Sequence, residues 1–380
     1  MRDTSSVFLS EQENLIRESA RKIAAQVLAP TAAARDRASA WPTNELRALA
    51  EVGLMGIMIP EEFGGSASSF VEYCLAIEAI AAADAGVATI VHVHNSAGLT
   101  INRSGSDEQK RRWLPGIAQG ETIGAFLLSE PHAGSDTSAM RASATRDGDH
   151  YVLKGSKQWI SNGSEAGVAI VMAKSDKSAG SRGFTLFVVD PRDPAYVVSR
   201  VEDKLGQRTA HTAQIQLDGL RVPITNVLGE EGAGYRNTLS MLSEGRVAIA
   251  ALAVGVAGAA LEAAIKYAKE REAYGRPIME LQGVSFDLAD MATKVEVARQ
   301  YMIHAARLCA AGVPCAKEAS IAKLFASEIA EQVCSDAIQI HGGYGYVNDF
   351  PVERLFRDVK VTKIYEGTSH IQKVIIGRNL

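Results

Sequence analysis

The sequence predicts an α+β multidomain protein: an N-terminal helical domain over residues 1–120, a middle antiparallel β-sandwich or barrel over 121–230, and a C-terminal four-helix bundle over 231–380. Three observations carry this. Apolar spacing is helical at first, changes near Glu121 to short runs of β-formers, and returns after Gly232 as long helical stretches.

In the first region, Ser10-Glu11-Gln12-Glu13 fits the S-x-x-E capping box, so a helix starts there, and Pro30 is expected to mark its end. A short helix over 43–52 is closed by Gly53, and another contains 76–83. A further one, over 107–114, is expected to start after an Asp cap and end at Pro115. The middle region offers strands at 123–128, 168–172, 184–189 and 214–217, separated by Gly, Asp and Pro clusters. No long helical pattern lies between them, which argues against a parallel βαβ sheet.

The last region predicts helices at about 234–271, 283–311 and 316–340, with Gly312-Val313-Pro314 breaking the second from the third. Residues 247–264 are apolar except for Glu262 and approach the length of a membrane span. Alanine and glycine dominate that stretch and carry little transfer energy. It reads as a buried bundle helix whose small side chains let its neighbours come close, and no membrane partner is expected.

Composition narrows the function. At 380 residues the chain suits two or three packed units, and 47% apolar with 22% charged residues describes a globular protein. A formal charge of −4 leaves no basic footprint for nucleic acid or anionic lipid. Cys74, Cys309, Cys315 and Cys334 form no CxxC, so neither a zinc ribbon nor a disulfide framework is indicated, and reduced thiols in a cytoplasmic protein are expected. The opening MRDTSSVFLSEQENLIRESARK lacks the apolar stretch of a secretory signal.

Familiar nucleotide loops are missing. There is no GxxxxGK[ST], and Gly342-Gly343-Tyr344-Gly345 follows a helix rather than a strand. His92 and His94 are two apart, which does not put them on one helical face, and catalytic zinc takes three protein ligands; both read as packing or capping residues, and no metal is expected.

Four segments carry chemistry. Residues 126–136 run a strand into a Pro/Gly turn with Ser129, Glu130, Ser135 and Asp136, whose hydroxyls and exposed N–H groups suit a phosphate or a polar ring edge. Trp159-Ile160-Ser161 sets an indole beside a hydroxyl, able to stack on a flat heterocycle and bond its nitrogen, or simply to fill a core. Arg271 and Arg276 near a helix end could grip phosphate or merely balance the helix dipole. Tyr365-Glu366-Gly367-Thr368 puts a carboxylate directly before a Gly turn and a Thr cap; taken by itself, Glu366 reads as a solvated turn residue.

Together and in this order, these segments resemble the acyl-CoA dehydrogenase family, and the resemblance runs nearly the whole length, to Ile371-Gln372. It implies the helical–β–helical domain order, a homotetramer, and FAD held between the β-domain and the C-terminal helices and reaching a neighbouring subunit. By that similarity Leu128 and Ser129 meet the flavin edge, Trp159 and Ile160 pack on the isoalloxazine, and Ser161 bonds near N5. Ser135 lies near the phosphate-bearing parts of the ligands. Arg271, Tyr274, Gln282, Gln339, Gly342 and Gly343 hold FAD across the subunit interface, and Thr368 contacts it beside the base. Arg246 and Gly367 fall on the substrate side.

The implied reaction desaturates an acyl-CoA to a trans-2-enoyl-CoA: Glu366 takes the α-proton and flavin N5 the β-hydride. The α-proton is too weakly acidic for a carboxylate in water. The family therefore polarises the thioester carbonyl with the base's own N–H and a ribityl hydroxyl. Burial with the acyl chain is expected to raise the Glu366 pKa toward working pH.

Departures from the pattern are few. Ser243 stands where the family often has Asp, His132 where it has Gly, and Tyr274 where it has Phe. Gly245 occupies the position before Arg246 that holds the base in some members, which favours Glu366. The length and the Gly245-Arg246 arrangement suggest a short or short-branched acyl group, and an electron-transfer flavoprotein is the implied acceptor. The rivals are an acyl-CoA oxidase, which is often longer, and a non-catalytic subunit binding FAD or acyl-CoA, which the presence of Glu366 disfavours.

Overall fold

The computed structural model describes residues 8–380, so the reading of residues 1–7 lies outside the described residues. Helix α1 (Glu11–Ile23) starts at the expected capping box: Ser10 Oγ accepts from the Glu13 N–H, and Glu13 Oε2 from the Ser10 N–H at 2.8 Å. The chain does not leave the helix near Pro30. A π turn (Ala24–Leu28) leads straight into α2 (Ala29–Ala38), so the helical path continues through Pro30 in the first turn of α2. Ser39, at φ 48°, ends α2 in the left-handed conformation.

After α3 (Thr43–Glu51) come α4 (Phe70–Ala83), α5 (Ala85–Ser104) and α6 (Asp107–Ala118). Two expectations for α6 are corrected. Its cap is Ser106, boxed with Gln109, and the helix runs past Pro115 to Ala118. Arg111, whose carbonyl Pro115 leaves without a donor, is solvent-exposed, so water can satisfy it. The helix α5 had no sequence signal because its polar residues Thr89, His92, His94 and Asn95 are all buried, which erases the amphipathic period.

The middle region forms one eight-stranded sheet from β1 (Gly124–Leu127), β2 (Ser143–Asp147), β3 (His150–Ser161), β4 (Val168–Lys174), β5 (Phe184–Val189), β6 (Tyr196–Val201), β7 (Thr212–Pro223) and β8 (Val227–Leu228). The order is β6-β7-β3-β2-β4-β5-β8, with β1 beside β4. Pairing is antiparallel except for β1–β4 and a single β2–β4 pair. Strand β4 is buried on both faces. Ala169, Val171 and Ala173 enter a core shared with β3 and β7, while Val168, Ile170 and Met172 pack against Ile101, Trp113 and Ile117 of α5 and α6.

The long helices are α7 (Gly234–Glu270), α8 (Gln282–Ala310) and α9 (Ala316–His341), each within a residue or two of expectation. A ribbon of β9 (Glu272–Ala273) and β10 (Arg276–Pro277) joins α7 to α8, and α10 (Val352–Val359) and α11 (Ser369–Arg378) pack on α9. The apolar stretch of α7 is buried between α4, α8 and α9. A Cβ on Gly255 would lie 2.2 Å from the Glu78 carbonyl of α4, so backbone meets backbone there. One core thus runs through α1, α4, α5, α7, α8 and α9, tying the two helical regions together.

Candidate active site

Glu366 sits in the turn between Tyr365 and α11 with φ 52°, left-handed for a residue that has a Cβ, at a cost of about 1–3 kcal/mol. Its neighbours hold it there. Lys323 on α9, fully buried, donates to the Gly367 carbonyl at 2.7 Å. Gln372 Nε2 donates to the carbonyls of Gly367, at 2.8 Å, and Glu366, at 3.1 Å. Gly367 has φ 88°, and Thr368 Oγ1 caps α11 by accepting from the Ile371 N–H. Upstream, the Tyr365 hydroxyl meets Gln207 Nε2 at 3.3 Å and Thr89 at 3.4 Å; Gln207 in turn bonds Asp358 of α10.

The half-buried carboxylate faces three helices. His92 Nε2 of α5 is 3.8 Å from Oε1, and Arg246 of α7 and Lys323 of α9 are close enough for their charges to act on it. On α7, Gly245 leaves the space that Oε2 occupies. Burial pushes the Glu366 pKa up, but His92, Arg246 and Lys323 outweigh it, and the net direction is downward. In the free protein desolvation is present, and two cations and an imidazole overcome it; the expected rise belongs to the acyl-bound state. Burial also lowers Lys323, to about 8, and lowers Arg246, whose buried Nε has no partner among the described residues.

A second group of sequence-selected residues lies on the sheet. The Gln158 N–H donates to the Ser129 carbonyl at 2.9 Å, which draws Leu128 and Ser129 beside Trp159-Ile160-Ser161. Between Lys157 and Ile160 strand β3 slips register against β7, and Trp159 takes φ 62° there. Trp159 is 61% exposed, while Ile160 is buried and Ser161 partly so. The core-Trp alternative therefore does not describe this chain by itself. Asn162 fixes the turn beyond, donating to the carbonyls of Ile90 and Gly124 at 3.1 Å each. Ser135 is on an exposed turn.

That turn is anchored by Glu130, one of its marked residues, paired with Lys157, which the sequence did not single out. Lys157 and Glu130, both buried, meet at 3.0 Å; Lys157 also donates to the Leu128 carbonyl, and Glu130 accepts from the N–H groups of Arg141 and Ala142. Burial raises the Glu130 pKa, but Lys157 and the two N–H groups bring the net below the usual carboxylate value.

A third group is carried by other elements. Arg271 and Tyr274 lie in the β9–β10 ribbon region, Gln282 starts α8, Gln339 is in the last turn of α9, and Gly342 and Gly343 follow it in a 3-10 turn; all are exposed. Tyr274 is 92% exposed at φ 54°. Arg271, Gly342 and Gly343 line a cavity of about 760 Å³, floored by Tyr267 stacked on His341 at 4.3 Å, with Arg271 over Tyr344. An indole with no partner among the described residues, set beside hydroxyls, and a guanidinium beside bare glycine backbone suit a flat heterocycle and phosphates respectively.

The two histidines differ. His94 is spent on structure: one ring nitrogen meets the Ile117 carbonyl at 2.9 Å, the other the Gly124 N–H at 3.1 Å, and burial lowers its pKa to about 4. His92, read as a packing residue, also faces Glu366, and no spacing rule could have shown that. Lys323 and Gln372 went unmarked too, because their partners are 44 and 5–6 residues away and the contacts are to backbone.

Comparison with known proteins places this chain in a family. The acyl-CoA dehydrogenase N-terminal, middle and C-terminal domains match residues 10–121, 125–220 and 232–380. The chain is 43% identical to an acyl-CoA dehydrogenase of Bacillus subtilis (strain 168), covering 98% of this chain and 99% of that one. It is 41% identical to the mitochondrial short-chain specific acyl-CoA dehydrogenase of Mus musculus, covering 99% and 91%. Butyryl-CoA dehydrogenase from Megasphaera elsdenii superposes with a TM-score of 0.95 at 38% identity, covering 98% of each chain. These relatives define the class as an FAD-dependent oxidoreductase acting on acyl-CoA. The chain belongs to the acyl-CoA dehydrogenase family.

Proposed function

We propose that the protein desaturates a short-chain or short-branched acyl-CoA to the trans-2-enoyl-CoA, with Glu366 removing the α-proton. What carries this reading is the Glu366 carboxylate: held in a left-handed turn, opposite Gly245, and kept ionised by His92, Arg246 and Lys323. A base that starts ionised can accept a proton at once, and an entering acyl chain that displaces water pushes its pKa up toward that of the α-proton.

The remaining roles follow from residue chemistry. The Glu366 N–H, which no described residue accepts, is a donor for the thioester oxygen. Arg246 lines the substrate side and balances the charge of Glu366. Leu128, Ser129, Ser135, Trp159, Ile160, Ser161 and Thr368 would hold FAD in one subunit. Arg271, Tyr274, Gln282, Gln339, Gly342 and Gly343 would complete the site of a neighbour in a homotetramer. FAD, when bound, supplies the hydride acceptor for Cβ. An electron-transfer flavoprotein then serves as electron acceptor, in a cytoplasmic setting that suits four free cysteines.

Mass spectrometry of butyryl-CoA incubated with enzyme and an artificial acceptor tests the reading. The product loses two hydrogens, and in D₂O the recovered substrate gains deuterium at Cα with wild type but not with Glu366→Gln. Equal exchange in both proteins removes Glu366 from the role. Air replacing the artificial acceptor at full rate favours the oxidase reading.

A further inference from the structure

Both ring nitrogens of His92 face polar atoms. Nδ1 is 2.8 Å from the hydroxyl of Tyr73 on α4, and Nε2 is 3.8 Å from Glu366 Oε1. Both aromatic residues are buried, His92 at 4% exposure and Tyr73 at 3%. The Tyr73 phenol is pushed well above its ordinary range, first by burial and then by Cys74, Glu244 and Glu366, so it keeps its proton at neutral pH. Nδ1 is the one acceptor within reach of the Tyr73 hydroxyl among the described residues, so the buried O–H donates to it, and a neutral ring that accepts at Nδ1 carries its proton on Nε2. That is the nitrogen facing the carboxylate. If the ring is charged, Nε2 still carries a proton.

We propose that His92, oriented by Tyr73, is a positioning residue for Glu366: its Nε2–H steers the carboxylate and holds it ionised until the acyl group arrives. The proposal rests on Glu366 being the base. Other groups face the same carboxylate. From α7 there is Arg246, and beside it Glu244, whose Oε1 is tied to Arg103 at 2.7 Å. From α9 there is Lys323, with Glu328 behind it, and from the turn itself Tyr365. Cys74 adjoins Tyr73, and Cys315 adjoins Arg246. Lys323 is committed to the Gly367 carbonyl. His92 differs from the cations because a second residue fixes which way its donor points.

The pH dependence of anaerobic flavin reduction tests this on holoenzyme, using butyryl-CoA with wild type, His92→Leu, His92→Gln, Tyr73→Phe and Glu366→Gln. His92→Leu is expected to move the acid limb upward by about one pH unit, a tenfold loss of rate on the acid side. His92→Gln, which restores an N–H donor, recovers part of the shift. Tyr73→Phe keeps the ring volume and shifts the limb in the same direction by less, so the test survives if His92→Leu does not fold. Unchanged profiles in His92→Leu and Tyr73→Phe, with Glu366→Gln inactive, overturn the proposal and leave the base in place. Full activity in Glu366→Gln overturns the base reading itself.

Discussion

A Cβ placed on Gly245 would lie 2.7 Å from Oε2 of Glu366, so the glycine of α7 and the carboxylate of the 366 turn occupy complementary space. Gly245→Ala should push the carboxylate aside. A displacement near 1 Å can cost on the order of 10²-fold in rate. Alanine is also the better helix former by roughly 0.8–1.0 kcal/mol. The expected outcome is slower flavin reduction in a stopped-flow trace with no loss in thermal melting. Slowed reduction accompanied by a large drop in melting temperature would mean that the helix, not the base, was disturbed.

The downward direction of the Glu366 pKa makes a pH prediction for the free enzyme. The carboxyl starts from an ordinary value of 4.5, and His92, Arg246 and Lys323 hold it lower. The acid limb that Glu366 contributes to kcat/KM should therefore lie below pH 4.5, the base being ionised throughout the neutral range. A profile of kcat/KM against pH with butyryl-CoA checks this. An acid limb near neutrality, absent from the enzyme–substrate complex, would contradict it.

Glu130 and Lys157 should act as a unit, because both side chains are almost wholly buried and together they fix the turn after Leu128. Lys157→Met leaves the Glu130 carboxylate buried without its cation, which costs about 3–5 kcal/mol. Urea unfolding should show a loss of that size, and Glu130→Gln combined with Lys157→Met should be less damaging than the sum of the two. The folded pKa of Glu130 is depressed, so its contribution is present above the ordinary carboxyl value and lost as pH falls through the depressed one. Acid unfolding of Glu130→Gln should accordingly be less steep than wild type.

Most of the fold was legible in the sequence. The three long helices and the change of period near Glu121 are local signals, and α7, α8 and α9 start and stop where apolar spacing, Gly312 and Pro314 say they should. What stayed hidden was non-local. Helix α5 buries its polar residues against partners in distant elements, and Pro30 and Pro115 look like breakers until the π turn before the one and the solvent face beside the other are known. At the site, the motifs marked Trp159, Tyr274 and Glu366, but not that all three adopt positive φ; that requirement comes from the bulge and turns they sit in. His92, Lys157 and Lys323 carried no motif at all, because each acts through a partner 27 residues or more away.

The third group of residues predicts a divided cofactor site. Trp159 is 61% exposed, so Trp159→Ala should leave the apoprotein's stability within about 0.5 kcal/mol of wild type while weakening flavin retention. Arg271→Ala, on a separate and exposed element, should weaken retention too. Coexpressing the two variants should restore flavin to some sites, since a hybrid can join an intact Trp159 from one chain to an intact Arg271 from another. Absorbance at the flavin band in purified hybrids measures this, and hybrids no better than either parent would mean that both residues serve a site within one chain.

The most direct test of the account is the visible spectrum of the FAD-loaded protein as straight and branched short-chain acyl-CoAs are added without oxygen, to wild type and to Glu366→Gln. The oxidised flavin bands are expected to bleach in wild type with at least one short acyl-CoA and to persist in Glu366→Gln although both bind the ligand. Bleaching that proceeds equally in the two proteins, or a wild type that binds FAD and acyl-CoA yet never bleaches, would contradict it.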